Sequence, residues 1–209
     1  MPEILAGIEH HERLPAEPWL ELVPPPSPQR AAVASFPGHV VVAADIDRRW
    51  LDSFLGTGDD LAMPLSPTFL GALEQRLRLA AGNIDAVLLA EPVSGSPSVE
   101  LSLIEDSDHP RVVRARRYRT DVRVWTCGPG VLVLGRGLGA RWEAAVEVEP
   151  GARNGGVGRA LAAAARHVVP EGRPVWAQVA PGNASSLRAF LAAGYAPVGA
   201  EVLLMPVGH

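Results

Sequence analysis

The sequence predicts an α/β fold with a mixed sheet, in which a larger C-terminal core follows a smaller N-terminal α/β unit. Three observations lead there. Ala144, Val146 and Val148 alternate as a strand with one buried face requires, and a glycine-rich loop and an alanine-rich run follow at once. Val175, Ala177 and Val179 repeat that alternation ahead of a helical pattern starting at Asn183. Two apolar runs, 122–126 and 131–134, flank CysGlyProGly and read as a hairpin.

Taken in order, residues 1–30 are rich in Glu and Pro and lack periodicity, which reads as a tail or clasp over the surface. Trp19, Leu20 and Leu22 predict that part of it docks on something apolar, and the tail is long enough to reach a second subunit. Residues 31–95 read as the small unit. A buried strand starts at His39. Asp45 is placed to cap a helix carrying Ile46, Trp50, Leu51 and Phe54 and stopped at Gly56. Ser66 and Pro67 open a second helix, with Phe69, Leu70, Leu73, Leu77 and Ala80 at helical spacing and Gly82 as its stop. A short strand begins at Ala86, and the loop 91–98 marks the boundary to the core, 96–209.

Within the core the pattern gives a strand at 99–104, a helix at 110–119, the hairpin and a central strand at 141–148. After the glycine loop, a helix presents Leu161, Ala165 and Val168 on one face and ends before Pro170. A strand from Pro174 leads to a helix that buries Leu187, Phe190 and Leu191 and stops at Gly194. A final pair of strands passes through Val198 and 202–204.

Composition narrows the function. The chain has 209 residues, 47 % of them hydrophobic, so it is neither disordered nor fibrous. No apolar run reaches the length of a membrane span. The first residues, MPEILAGIEHHER, lack the basic lead and apolar stretch of a secretory signal. The single cysteine, Cys127, allows no internal disulfide and suggests no metal cluster; it reads as a turn residue in a protein of the reducing cytoplasm. A net charge of −4 argues against a nucleic-acid binder. Arg111, Arg114, Arg116, Arg117, Arg119 and Arg123 nevertheless crowd one segment, either as a solvated helix face or as an attractor for an anionic group of substrate or coenzyme. All 19 basic residues are arginine. The chain therefore offers no lysine for Schiff-base chemistry or for a Walker A phosphate loop.

The loop after the central strand carries the chemistry. Pro150 ends the ladder, and Arg153, Gly156 and Gly158 then stand at the spacing Arg-x-x-Gly-x-Gly before a helix. Unpaired N–H groups at a helix start, with glycines beside them, make a cradle for a phosphorylated ligand. A rival glycine pattern, Gly135, Gly137 and Ala140, has dinucleotide-fingerprint spacing. Residues 141–148 beyond it alternate with period two, so it reads as a turn between antiparallel strands, and a dehydrogenase is disfavoured.

The first segment, WEAAVEVEPGARNGGVGR (142–159), together with NASSLRAFLAAGYAPVG (183–199), resembles the two central motifs of the GCN5-related N-acetyltransferases. The likeness covers roughly the C-terminal half, from Val99 onward. It implies an acetyl group moved from acetyl-CoA, as co-substrate and without a metal, to an amine of a small molecule or protein. The pyrophosphate would lie on Arg153, Asn154, Gly155, Gly156, Val157, Gly158 and Arg159, with Asn183 on the pantetheine arm. Pantetheine would run along the strand edge at Val146 and Val148, with the N–H near Val146 facing the thioester oxygen. The tyrosine that protonates the leaving thiolate in many members corresponds to Phe190 here, and Tyr195 reads as core packing. Glu143 and Glu147, projecting opposite to Val146, are the candidate bases. An acyl-CoA-binding module without efficient catalysis is the alternative, and residues 31–95 are a candidate degenerate second half. Neither nucleic acid nor membrane is expected as a partner, whereas a homodimer is compatible with the tail.

Overall fold

The structure is a computed structural model and describes residues 1–15, 17–55, 61–105 and 108–207. It divides into two units, one of Met1–Ala86 with Val198–His209 and one of Val87–Pro197.

In the first unit Pro2 occupies the opening turn of α1 (Pro2–Glu9), where a missing N–H costs nothing. The stretch expected as a tail thus carries a helix, and also a strand. β1 (Leu20–Val23) pairs in parallel with β3 (His39–Ala43), and the side chain of Leu20 is buried. β2 (Ala31–Phe36) lies antiparallel to β3 on that strand's other edge. All five positions of β3 are buried, which is why it reads as one apolar run rather than an alternation.

α2 (Arg48–Leu55) is capped by Asp47, whose Oδ1 accepts from Trp50 N at 2.7 Å, and not by Asp45 as expected. A cap side chain bonds an amide two or three residues further on, and Asp45 is too early to reach Trp50 N. The expected stop at Gly56 lies outside the described residues. α3 (Pro67–Leu77) starts as expected, with Ser66 Oγ accepting from Phe69 N at 3.2 Å. It ends at Arg78 in the left-handed region, not at Gly82, and Ala80 lies in the strand that follows. β4 (Leu79–Ala90) begins at once, aided by Glu74 Oε1 accepting from Ala81 N at 2.7 Å. With β10 (Ala196–Pro206) the strand order of this unit is β1-β3-β2-β10-β4. β10 is one strand where a pair was expected, and it pairs antiparallel to β2 from Ala200 to Leu204. Leu20, Val33, Val42, Phe69, Leu73 and Val202 share its core.

The second unit takes the last residues of β4 and adds β5 (Ser102–Ile104), α4 (Pro110–Tyr118), β6 (Thr120–Cys127), β7 (Gly130–Arg136), β8 (Trp142–Val148), α5 (Val157–Val168), β9 (Val175–Val179) and α6 (Ala184–Ala192). Its strand order is β4-β9-β8-β7-β6-β5. The rival glycine pattern runs from Gly135 at the end of β7 through Gly137 into a short 3-10 turn, Leu138–Ala140, that joins β7 to antiparallel β8, so no α-helix starts there. α5 and α6 cover one face of the sheet through Leu161, Ala165, Phe190 and the alternating residues of β8 and β9. α4 covers the opposite face through Val112 and Ala115, against Val124 and Val133. Leu191, expected in the core, is 41 % exposed, because the buried stripe of α6 runs through Leu187 and Phe190. Among the described residues no helix is long and apolar enough to cross a membrane.

Candidate functional site

Backbone hydrogen bonding decides what β8 offers. Gly137 N donates to Arg141 O at 3.0 Å and Glu149 N to Pro129 O at 2.9 Å, which extends the β7–β8 register at both ends. Bonded positions alternate along an antiparallel ladder, so the odd-numbered residues of β8 bond to β7. The even-numbered residues turn their N–H and C=O groups to the other edge. There β9 runs parallel, in register at one position among the described residues, Glu143 opposite Trp176. The strands part beyond it. After Ala144, the next amide on the parted edge is Val146 N–H, followed by that of Val148. Val148 O accepts from Arg153 Nε at 3.2 Å.

The loop beyond β8 closes into a 3-10 turn, Pro150–Ala152, then passes Asn154 and Gly156 in the left-handed region before α5 begins. Gly156 is the N-cap, with φ of 85° and no side chain to satisfy the helix amides. Ala152 N bonds to Glu149 O and Ala160 N to Gly156 O. Between them, among the described residues, the amides of Arg153, Asn154, Gly155, Gly156, Val157, Gly158 and Arg159 have no backbone acceptor. Such a row at the positive end of a helix dipole is an anion site in its chemistry. A Cβ at Gly158 would meet Val148 and Ala189 only in ordinary contact, so the packing of α5 there does not itself require glycine. Asn183 is the N-cap of α6, its Oδ1 accepting from Ser186 N at 3.1 Å. Its Nδ2 is the group it can offer to a ligand.

The two candidate bases lie on the α4 face, opposite to Val146, in different surroundings. Glu147 is 38 % exposed and pairs with Arg111 Nε at 2.7 Å. That hydrogen bond holds its carboxyl below the usual range. Glu143 is buried, with a side chain 4 % exposed. Burial by itself would raise its pKa, but Arg119 and Arg141 together outweigh that and hold it below the usual range. Arg141, Arg119 and Gln178 are the site residues that sequence reasoning passed over or read as surface. A charged pair at i, i+2 on one strand face was the signal for Arg141, while Arg119 and Gln178 left none.

Phe190 is buried and meets the ring of Tyr195 edge-to-face at 4.9 Å. Tyr195 OH donates to Ala162 O at 3.2 Å, and burial raises its pKa although Arg166 pulls the other way. It is committed to the core. The Arg cluster is shared out: Arg111 and Arg119 pair with Glu147 and Glu143, Arg114 and Arg117 lie over the Tyr118 ring, and Arg123 lies over Trp142. Arg116 donates to Glu105 O at 2.7 Å. A separate cavity of about 440 Å³ is lined by Ser96, Glu100, Trp125 and Val168, at the far end of α5 from the loop. Among the described residues no group of three or more His, Cys, Asp or Glu is arranged to hold a metal.

Several solved structures are similar to the chain, two of them as follows. One is a GCN5-related N-acetyltransferase from Kribbella flavida, with TM-score 0.44 and 18 % identity over 67 % of this chain and 64 % of that one. The other is a GCN5-related N-acetyltransferase from Sphaerobacter thermophilus, with TM-score 0.41 and 15 % identity over 66 % and 56 %. The chain thus spans less than two thirds of either neighbour. No protein-family model and no curated protein matches the chain.

Proposed function

We propose that the chain is an acetyl-CoA-dependent N-acetyltransferase acting in the cytoplasm. The observation that carries this reading is the row of backbone amides from Arg153 to Arg159, left without backbone acceptors at the start of α5 and adjoining the parted edge of β8. Two phosphates of a coenzyme fit that row, with the Arg153 and Arg159 side chains adding charge-assisted bonds. The parted edge supplies Val146 N–H as the donor to a thioester oxygen, while Val148 and Asn183 Nδ2 serve the pantetheine amides. One donor of this kind is worth about 3 kcal/mol at the transition state.

In the reaction the acceptor nitrogen bonds to the thioester carbon, the C–S bond breaks, and the ammonium proton is lost. Glu147, the more accessible of the two strand carboxylates, is the candidate proton acceptor. Its depressed pKa makes it a weak base, so the amine enters as its neutral fraction and the rate climbs with pH as that fraction grows. The thiol of coenzyme A has a pKa of roughly 8.5, like that of cysteine, and departs as thiolate without a tyrosine.

Phe190 supports a second reading, an acyl-CoA-binding module that lacks efficient turnover. Calorimetry with coenzyme A and thiol release with a panel of amines separate the two. The enzyme gives both heat and thiol, and the module gives heat alone. Gly156→Val is expected to weaken coenzyme binding at least tenfold, since the left-handed backbone costs a branched residue about 1–2 kcal/mol and moves the amides. Unchanged affinity in that variant, or no heat with wild type, refutes the coenzyme site.

A further inference from the structure

Glu143 is where the two diverging strands are tied. It occupies the β8 position still in register with β9, opposite Trp176. Two residues further along β9, Gln178 Nε2 donates to Glu143 Oε1 at 3.2 Å. Side chains therefore keep bridging the strands where the backbones have parted. The same oxygen accepts from Leu138 N at 3.2 Å and from Arg141 Nε at 2.9 Å. The second oxygen meets Arg119 Nε at 3.0 Å, and Arg119 Nη1 also donates to Glu143 O at 3.3 Å. One carboxylate thus joins the residue that ends α4, the turn before β8, β8 itself and β9. Arg141 in turn lies over the Trp176 ring at 4.8 Å. Side-chain exposure is 4 % for Glu143, 1 % for Arg141 and 14 % for Arg119. Gly137 completes the enclosure, because a Cβ there would collide with the Glu143 carboxylate.

A carboxylate whose oxygens are occupied by fixed donors, and which is shielded from solvent, is poorly placed to take a proton from a substrate. What it can do is fix geometry. We propose that Glu143 is a positioning residue: by holding Gln178, Arg141 and Arg119 together it sets how β8 leaves β9, and so aims the Val146 N–H. The inference rests on the acetyltransferase reading for what that aim achieves. An N–H displaced by a fraction of an ångström from a developing oxyanion loses much of its effect on rate while ground-state binding is untouched.

The test uses Gln178→Ala, which cuts the bridge and leaves the charged pairs in place, beside Glu143→Gln. Both are expected to bind coenzyme A within about twofold of wild type and to lower kcat about tenfold or more, with little change in KM for the coenzyme. A loss of kcat in Glu143→Gln about a hundredfold or more beyond that in Gln178→Ala would mark Glu143 as the base and overturn the proposal. Unchanged kcat in Gln178→Ala also overturns it, and that variant decides alone if Glu143→Gln does not fold. A second readout needs no turnover. The amide resonance of Val146 should shift in Gln178→Ala while those of Gly156 to Ala160 stay, and a Val146 resonance that does not move refutes the inference. Wild type with no heat and no thiol release instead refutes the acetyltransferase reading, and the amide readout still judges the role of Glu143.

Discussion

A buried carboxylate held by two guanidinium groups makes the stability of the second unit depend on pH, with a definite sign. The folded pKa of Glu143 lies below its ordinary value of 4.5. A group depressed on folding contributes its stabilisation in full above the unfolded pKa, and loses it as pH falls through the folded value. Urea midpoints should therefore be flat in this respect near neutrality and drop on acidification below about pH 4.5. Glu143→Gln should be less stable at neutral pH and should show a shallower acid slope. An identical slope in wild type and variant would mean that the carboxylate is not engaged in the folded state. The same residue marks what sequence could and could not show at this scale. Its place on the strand and its face were readable from alternation. Its distant partners were not, because Arg119 follows α4 and Gln178 lies in β9, more than twenty positions away on either side.

Elements were legible where local chemistry is unambiguous. Ser66 before Pro67, Asn183 before α6 and Gly194 after it each satisfy a helix end with a short-range bond or turn, and each was readable in place. The loop's conformation was legible for the same reason: the left-handed turn at Gly156 ahead of α5 is set within a few residues. Reading failed where two local signals compete or where tertiary pairing overrides one. Asp45 and Asp47 are both good caps, and only the offset to Trp50 N selects between them. Gly82 looked like a stop, yet it lies inside a strand, β4. The cap assignment is checked directly. Asp47→Ala should cost about 1 kcal/mol in urea unfolding, and Asp45→Ala well under half of that. The reverse order would return the cap to Asp45.

At the scale of the whole molecule, every group assigned to the coenzyme lies within Val87–Pro197, the second unit. The first unit has its own core, and no assigned site residue comes from it. The chain carries a net charge of −4, so attraction of an anionic ligand must come from local features, the α5 terminus with Arg153 and Arg159, and not from the overall field. Hydrogen exchange with saturating coenzyme A tests this distribution. Mass action stabilises whatever binds the ligand, by about 2.7 kcal/mol at a hundredfold excess over Kd, and slows amides that exchange through unfolding of that unit. Amides that bond the ligand directly gain protection beyond that common amount. The excess should appear at Asn154 to Arg159 and at Val146, whereas Val40 to Val42 in β3 should gain no more than the common amount. Rising salt should erode it, because exposed guanidinium–phosphate attraction is screened. Equal slowing everywhere would mean stabilisation without contact at the loop, and excess protection confined to β3 would move the site into the first unit.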